Sequence, residues 1–369
     1  MIKIIHIARP VAGVGVYISL LTKHINKNKF SNAIICNTND EIIELLDTNN
    51  QKINTHHANL IRKINLINDV KTFFQIVKIL KKERPDIIHC HSAKAGILGR
   101  LAGAYLKITT FYTPHAYSYL SAEGKLKKRF FKKLEKLLGI LPSKTIACSE
   151  SEYIRATTDI NITKDKVLLW RNSIEDVFVS DKLPIPEALP EEFICTIGRV
   201  SYQKNIELLI ESIKIVKKTN TAIHLVILGA GLYSPLLNKV NLLIEKHSLK
   251  DNITIIPWLS RTETLAILQH SKFYVSSSRY EGLPYALLEA LALKKPCIVT
   301  DVDGNKDVIK DTFNGFVTLE NPEDIAQKIN ILIENKELLK QFSINARKEY
   351  ETRYVIDKNI ILLENLYNH

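Results

Sequence analysis

Two carboxylates with seven residues between them, Glu281 and Glu289, lie in the stretch Tyr280 to Asp307, which reads YEGLPYALLEALALKKPCIVTDVDGNKD. Earlier in the chain, Arg199 and Lys204 bracket the run Gly198-Arg-Val-Ser-Tyr-Gln-Lys-Asn205, and His115 sits in Thr113-Pro-His-Ala-Tyr117. Two cations beside exposed amides at a helix N-terminus make a site for a diphosphate. The amides of Gly282 and Leu283, placed the same way, suit an anionic or hydroxyl-rich ligand. Each residue also has a plainer reading. Glu281 can simply favour a helix start, Glu289 can lie on a solvated helix face, Arg199 and Lys204 can be a surface pair, and His115 a loop histidine.

The elements that must position these groups follow from hydropathy. Phe273 to Val275 predicts a buried strand, Ala286, Leu287, Ala290 and Leu291 recur at helical spacing, Pro296 ends the helix, and Cys297 to Val299 predicts the next strand. Strand, glycine-containing loop, helix, strand is the unit of a parallel α/β sheet, whose ligands bind beyond the carboxyl ends of the strands. The same unit recurs. Lys3 to Ile7 predicts a strand, followed by a loop holding Gly13 and Gly15 and a helix from Val16 to about His24. Further strands are predicted at 32–36, 86–89, 109–112, 144–148, 167–170, 193–197, 224–228, 253–256 and 315–317, and helices at 70–82 and from about 206. His115 falls just beyond a strand's carboxyl end, the ligand side of such a sheet. The Gly13/Gly15 turn lacks the third glycine of a dinucleotide fingerprint and the Lys-Ser/Thr of a phosphate loop. Trp258 and Leu259 follow another strand; Trp258 reads equally as a core or rim aromatic and as a ligand contact.

A chain of 369 residues suggests two domains. Three prolines within 180–192 mark a linker. No apolar run approaches a membrane span, and the chain enters a strand at its start, so no signal peptide is expected. The five scattered cysteines fit a reducing cytosol without a disulfide frame. In His89-Cys90-His91, strand alternation sends Cys90 to the opposite face from its neighbours, so no metal site is expected. The net charge of +12 is uneven. Residues 1–180 hold 28 Lys+Arg against 15 Asp+Glu, and residues 181–369 hold 23 against 24. The excess concentrates in a basic amphipathic helix carrying Lys125, Lys127, Lys128, Arg129, Lys132, Lys133 and Lys136 against the lone Glu135. Such helices bind anionic lipid surfaces. Nucleic acid is not expected, because no aromatic stacking platform or groove-reading motif accompanies the charge.

Glu281-x7-Glu289, with Pro296 and Gly304-Asn305 after it, resembles the donor-site signature of the family 4 glycosyltransferases, retaining enzymes of the GT-B fold. Gly198-Arg199…Lys204, Thr113-Pro-His115, the His91-Ser-Ala-Lys-Ala-Gly96 run and Arg171-Asn172-Ser-Ile-Glu175 resemble further family motifs. The chain departs from the pattern at Ala116 (usually Gly), at Val14 between the glycines, and around Asn172 (usually Pro-Asn-Gly-Val-Asp).

The resemblance implies two doubly wound Rossmann-like α/β domains facing across a cleft: an acceptor domain over 1–178 and a nucleotide-sugar domain over 190–349, with a final helix at about 350–369 packing back onto the first. It implies that Glu281 contacts sugar hydroxyls and Glu289 the ribose, while the Gly282 and Leu283 amides meet sugar and phosphates. Arg199 and Lys204 would hold the diphosphate, the backbone at Trp258 and Leu259 would meet the base, and His115 would meet the sugar near the reacting carbon. Gly13, Gly15 and Asn172 would border the donor.

The expected activity is metal-independent, retaining transfer from a nucleotide diphosphate sugar, a UDP-sugar, to a lipid-linked glycan acceptor in surface polysaccharide synthesis. It would take place on the cytoplasmic, inner face of the membrane and need no cofactor. The resemblance implies a basic clamp, Arg199 and Lys204, rather than a metal one. The rival readings are a nucleotide-sugar epimerase or hydrolase of the same fold and a non-catalytic membrane-associated scaffold.

Overall fold

The computed structural model describes residues 1–37, 44–61, 64–177, 186, 189–231 and 234–368. The predicted linker at 180–192 lies outside the described residues apart from Pro186 and 189–192. The chain divides into two compact units, Met1–Glu175 joined by the segment from Ile356 onward, and Asp176–Val355.

The first unit is built on seven parallel strands: β1 (Ile2–Ile7), β2 (Phe30–Cys36), β3 (Asn54–His57), β4 (Ile87–His91), β5 (Thr109–Thr113), β6 (Ser143–Ala147) and β7 (Val167–Leu169). Their order is β3-β2-β1-β4-β5-β6-β7. The short β3 has mostly exposed residues, so it lacks the apolar run by which the other strands are legible. β4 runs two residues past its predicted end, which makes His91 a strand residue. The helix Leu66–Glu83 starts four residues early, because the Asn65 side chain accepts from the Asn68 amide at 3.0 Å and caps it. The helix Gly13–His24 takes in both glycines of the predicted loop. The turn into it is made at Ala12, with φ +52°. Trp170 donates its indole N–H to the Asn359 carbonyl at 2.8 Å, tying the C-terminal helix Ile356–Tyr367 to this unit.

The second unit has six parallel strands: β8 (Ile194–Ile197), β9 (Leu225–Ala230), β10 (Ile253–Pro257), β11 (Tyr274–Ser276), β12 (Cys297–Thr300) and β13 (Gly315–Thr318). Their order, β10-β9-β8-β11-β12-β13, reverses direction between β8 and β11. That reversal is the topological switch point at which open α/β sheets bind ligands. Strands buried on both faces, such as Cys297–Thr300, read as unbroken apolar runs because helices cover each side. All five cysteines are buried thiols, none in a disulfide.

Candidate active site

In the second unit, the loops leaving β8 and β11 meet at the switch point. Gly198 has φ +149°, and a Cβ there would lie 2.7 Å from Lys204 Cε, so the glycine leaves room for the lysine chain to fold over it. Asn205, left-handed at φ +50°, ends the loop ahead of the helix Ile206–Val216. Ser277 at the end of β11 donates to the carbonyls of Lys204 and Asn205, both at 2.9 Å, and so joins the two loops. Lys204 Nζ consequently reaches Glu281 Oε1 at 2.8 Å. Ser278 Oγ donates to the same oxygen at 2.8 Å, and Gln203 Nε2 donates to Glu281 Oε2 at 3.2 Å. The carboxylate is nearly buried and fully engaged by charge and hydrogen bonds, as a buried ion must be.

Behind this hub, Gly304 presses on the loop backbone. Its φ is +75°, and a Cβ would fall 2.4 Å from the Gly282 carbonyl oxygen. Thr300 Oγ1 donates to the Ser278 carbonyl at 2.6 Å. These contacts set Gly282 and Leu283 just ahead of the helix Tyr285–Ala292, at a helix N-terminus, whose dipole favours an anion. Arg199 is half-buried and has no ion pair among the described residues. The cluster therefore offers one unpaired guanidinium, one ammonium held by a carboxylate, and a helix N-terminus.

Glu289 lies on that helix but engages a different cation. Its Oε1 accepts from Arg261 Nε at 3.0 Å. Burial pushes its carboxyl up, and Arg261 offsets that only in part. Arg261 opens the helix Arg261–His270, whose Ser260/Glu263 capping box is complete. Trp258 is 67% exposed, so it is not a core aromatic.

In the first unit, His115 follows β5 with φ +54°, and Ala116 has φ +72°. The usual glycine at 116 is thus replaced by an alanine held in the left-handed region, where the Glu152 carboxylate accepts from its amide at 2.8 Å. His115 Nε2 lies 3.2 Å from His91 Nδ1, and burial lowers the His115 imidazole to about 3. Asn172 is buried in this unit, its backbone N–H donating to the Cys148 carbonyl at 3.2 Å. Gly13 and Gly15 sit in the first turn of their helix. The basic helix runs Lys125–Leu138, and only Glu135 and Leu138 on it are buried. Glu135 accepts from Arg100 at 2.8 Å and from the Tyr112 hydroxyl at 3.0 Å, anchoring the helix. Leu126, Phe130 and Leu137 are left exposed among the lysines.

Of the residues singled out by sequence, Lys204, Glu281, Gly282 and Leu283 come together, and Arg199 belongs to the same loop. Glu289 is held apart by its own cation. Sequence reasoning missed Gln203, Ser278, Arg261 and His6. Of these, Arg261 carried a signal, the Ser-x-x-Glu capping pattern around it.

Family models match both units. Residues 11–177 fit "Glycosyltransferase Family 4" and residues 181–349 fit "Glycosyl transferases group 1". The chain belongs to this glycosyltransferase family. The glycosyltransferase is 28% identical, over 92% of its length and 89% of the other, to the Escherichia coli UDP-Gal:alpha-D-GlcNAc-diphosphoundecaprenol alpha-1,3-galactosyltransferase. It is 25% identical, over 79% of its length and 78% of the other, to the Campylobacter jejuni N,N'-diacetylbacillosaminyl-diphospho-undecaprenol alpha-1,3-N-acetylgalactosaminyltransferase. Its fold is that of a Rickettsia africae glycosyltransferase, with TM-score 0.80, 20% identity and coverage of 99% and 97% of the two chains. The two parallel Rossmann-like sheets are those expected of the GT-B class.

Proposed function

We propose that this glycosyltransferase moves a sugar from a UDP-sugar, with retention at the anomeric carbon, to a lipid-linked glycan during surface polysaccharide synthesis. The observation that carries the reading is the Lys204–Glu281 hub at the switch point of the second sheet, with Arg199 on the same loop and the Gly282–Leu283 amides beside it. An arriving diphosphate takes Lys204 from Glu281 and adds Arg199, so that the charge developing on the departing diphosphate is met by two fixed cations. These cations stand where other enzymes use a metal. Freed of its lysine, Glu281 accepts from sugar hydroxyls, and Glu289 accepts from the ribose. The sugar ring gains positive character as the bond breaks, and the departing phosphate serves as the base for the acceptor hydroxyl.

A lipid-linked acceptor is supported by the printed names of the two relatives above, both of which act on diphosphoundecaprenol sugars. It is also supported by the basic helix, whose exposed Leu126, Phe130 and Leu137 suit the acyl boundary while its cations meet anionic headgroups. The attachment proposed for this helix is peripheral; among the described residues no helix is long and apolar enough to cross a membrane.

The test is a thermal-shift and turnover screen of UDP-, GDP- and ADP-sugars with an extracted lipid-linked acceptor pool, with and without EDTA. EDTA-resistant, lipid-dependent release of UDP, lost in Arg199→Ala/Lys204→Ala, is the expected result. UDP release that ignores the lipid would favour a hydrolase or epimerase, and failure of every nucleotide sugar to bind would sink the enzymatic reading of the site.

A further inference from the structure

Beside His115 the first unit buries three more imidazoles. His6 on β1 pairs in register with His89 on β4, and His91 lies two residues on, so all three project from one face of the sheet. One ring nitrogen from each lies within 4.8 Å of the other two. A metal is not the best account of them, because all six ring nitrogens already have partners. His89 is held by the Tyr367 hydroxyl at 2.7 Å and the Thr113 hydroxyl at 2.8 Å. The others form a line: Asn32 Oδ1 to His6 Nε2 at 3.2 Å, His6 Nδ1 to His91 Nε2 at 3.1 Å, and His91 Nδ1 to His115 Nε2 at 3.2 Å.

The line has a direction. Its surroundings are rings: Tyr17 stands edge-on to His91 and His115, and His89 packs on His91 at 4.1 Å between centroids. Among the described residues no carboxylate is paired with any of these histidines. The nearby Glu152 is occupied by the amides of Ala116 and Cys148. With no counter-charge, burial lowers every imidazole in the cluster, His6 to about 4, so each is neutral and carries a single N–H. The Asn32 oxygen can only accept. His6 must therefore donate through Nε2 and accept at Nδ1 from His91, and His91 must in turn accept at Nδ1 from His115. His115 has then spent its one proton on Nε2, and its Nδ1 carries a free lone pair.

We propose that Asn32, His6 and His91 are positioning residues that form a one-directional hydrogen-bond relay. The relay locks His115 as the Nε2–H tautomer and presents its Nδ1 as an acceptor to a sugar hydroxyl. The inference rests on the sugar contact given to His115 above. The left-handed backbone at His115 and Ala116 fixes the ring's root, and the relay fixes its rotation and tautomer. The resulting site accepts a hydroxyl and rejects a donor sugar that lacks one there, since the acceptor would lose its partner.

Two-bond 1H–15N correlation spectra of the full chain, labelled with 15N-histidine, read the tautomer directly without any ligand. The expected result at pH 7 is His115 protonated at Nε2 only. In Asn32→Leu the direction is no longer imposed, and His115 should become a mixture of both tautomers. His91→Phe should lower kcat/KM at least tenfold at unchanged Tm. His91→Gln, which can still accept from His115 and donate to His6, should recover most of that loss. His115 protonated at Nδ1, or a tautomer indifferent to Asn32→Leu, would overturn the relay. An intact Nε2–H tautomer together with full turnover in His115→Ala would instead remove the sugar contact and leave the relay standing.

Discussion

Lys204 and Glu281 allow stability and turnover to be separated. Replacing Lys204 with Met leaves a nearly buried carboxylate held, among the described residues, by Ser278 at 2.8 Å and Gln203 at 3.2 Å. Breaking one side of a buried pair costs roughly 3–5 kcal/mol. The lysine side chain here is 19% exposed, which argues for the lower end, about 3 kcal/mol. For a unit of this size that is a fall in Tm of roughly 6–12 °C. Adding Glu281→Gln removes the stranded charge, and the amide can still accept from Ser278. The double variant should therefore regain most of the lost Tm.

Turnover should not follow. Loss of one preorganised cation facing developing charge costs on the order of 10²–10³ in kcat, and Glu281→Gln returns none of it. Thermal melts alongside UDP release, for the wild type, both single variants and the double variant, complete the cycle. If kcat recovers together with Tm in the double variant, Lys204 serves folding alone and the phosphate-clamp reasoning is wrong. An undiminished kcat in Lys204→Met would refute it as directly.

Other perturbations give independent checks. Gly304→Ala places a Cβ against the Gly282 carbonyl from a left-handed backbone; a loss of about 2 kcal/mol or more in urea unfolding and weaker UDP-sugar binding by calorimetry are expected. Arg100→Leu strands the buried Glu135 and should cost roughly 3–5 kcal/mol by the same assay, whereas Arg100→Leu/Glu135→Leu should cost less. Leu126→Ser/Phe130→Ser/Leu137→Ser should reduce co-sedimentation with phosphatidylglycerol vesicles several-fold at constant charge, and raised salt should reduce the remainder. For His24, burial opposes the proton, but hydrogen bonds to Glu175 at 2.9 Å and Asp357 at 2.8 Å outweigh it and raise the pKa. A raised histidine pKa gives stability that is whole below about 6.5 and is lost as pH rises through the folded value. The unfolding midpoint should accordingly fall above pH 6.5, and His24→Ala should flatten that slope.

The fold was legible because parallel strands covered on both faces read as continuous apolar runs, so β1, β8 and β12 were found within a residue or two. β3 was missed, since Asn54–His57 at the sheet edge has no apolar run to betray it. In the site, Lys204 and Glu281 could be named from loop position and family likeness, but their direct pairing could not, because it depends on how the loops after β8 and β11 are tied together by Ser277. Glu289 could be named from the same likeness, but its pairing with Arg261, from a helix elsewhere in the sequence, could not. The histidine line was invisible for a similar reason. His6 and His91 are 85 residues apart, and only the β1–β4 pairing brings them to one face of the sheet.

The return of the chain to its first unit constrains the order in which the protein can fold during synthesis. Tyr367 fills a buried position against His89, and the indole of Trp170 needs the carbonyl of Asn359. The first unit is therefore incomplete until the segment Ile356–Tyr367 has left the ribosome. The second unit is one unbroken segment and can close as soon as it emerges. The unit begun earlier is completed after the other, and until then its histidine-lined sheet stands without its closing helix.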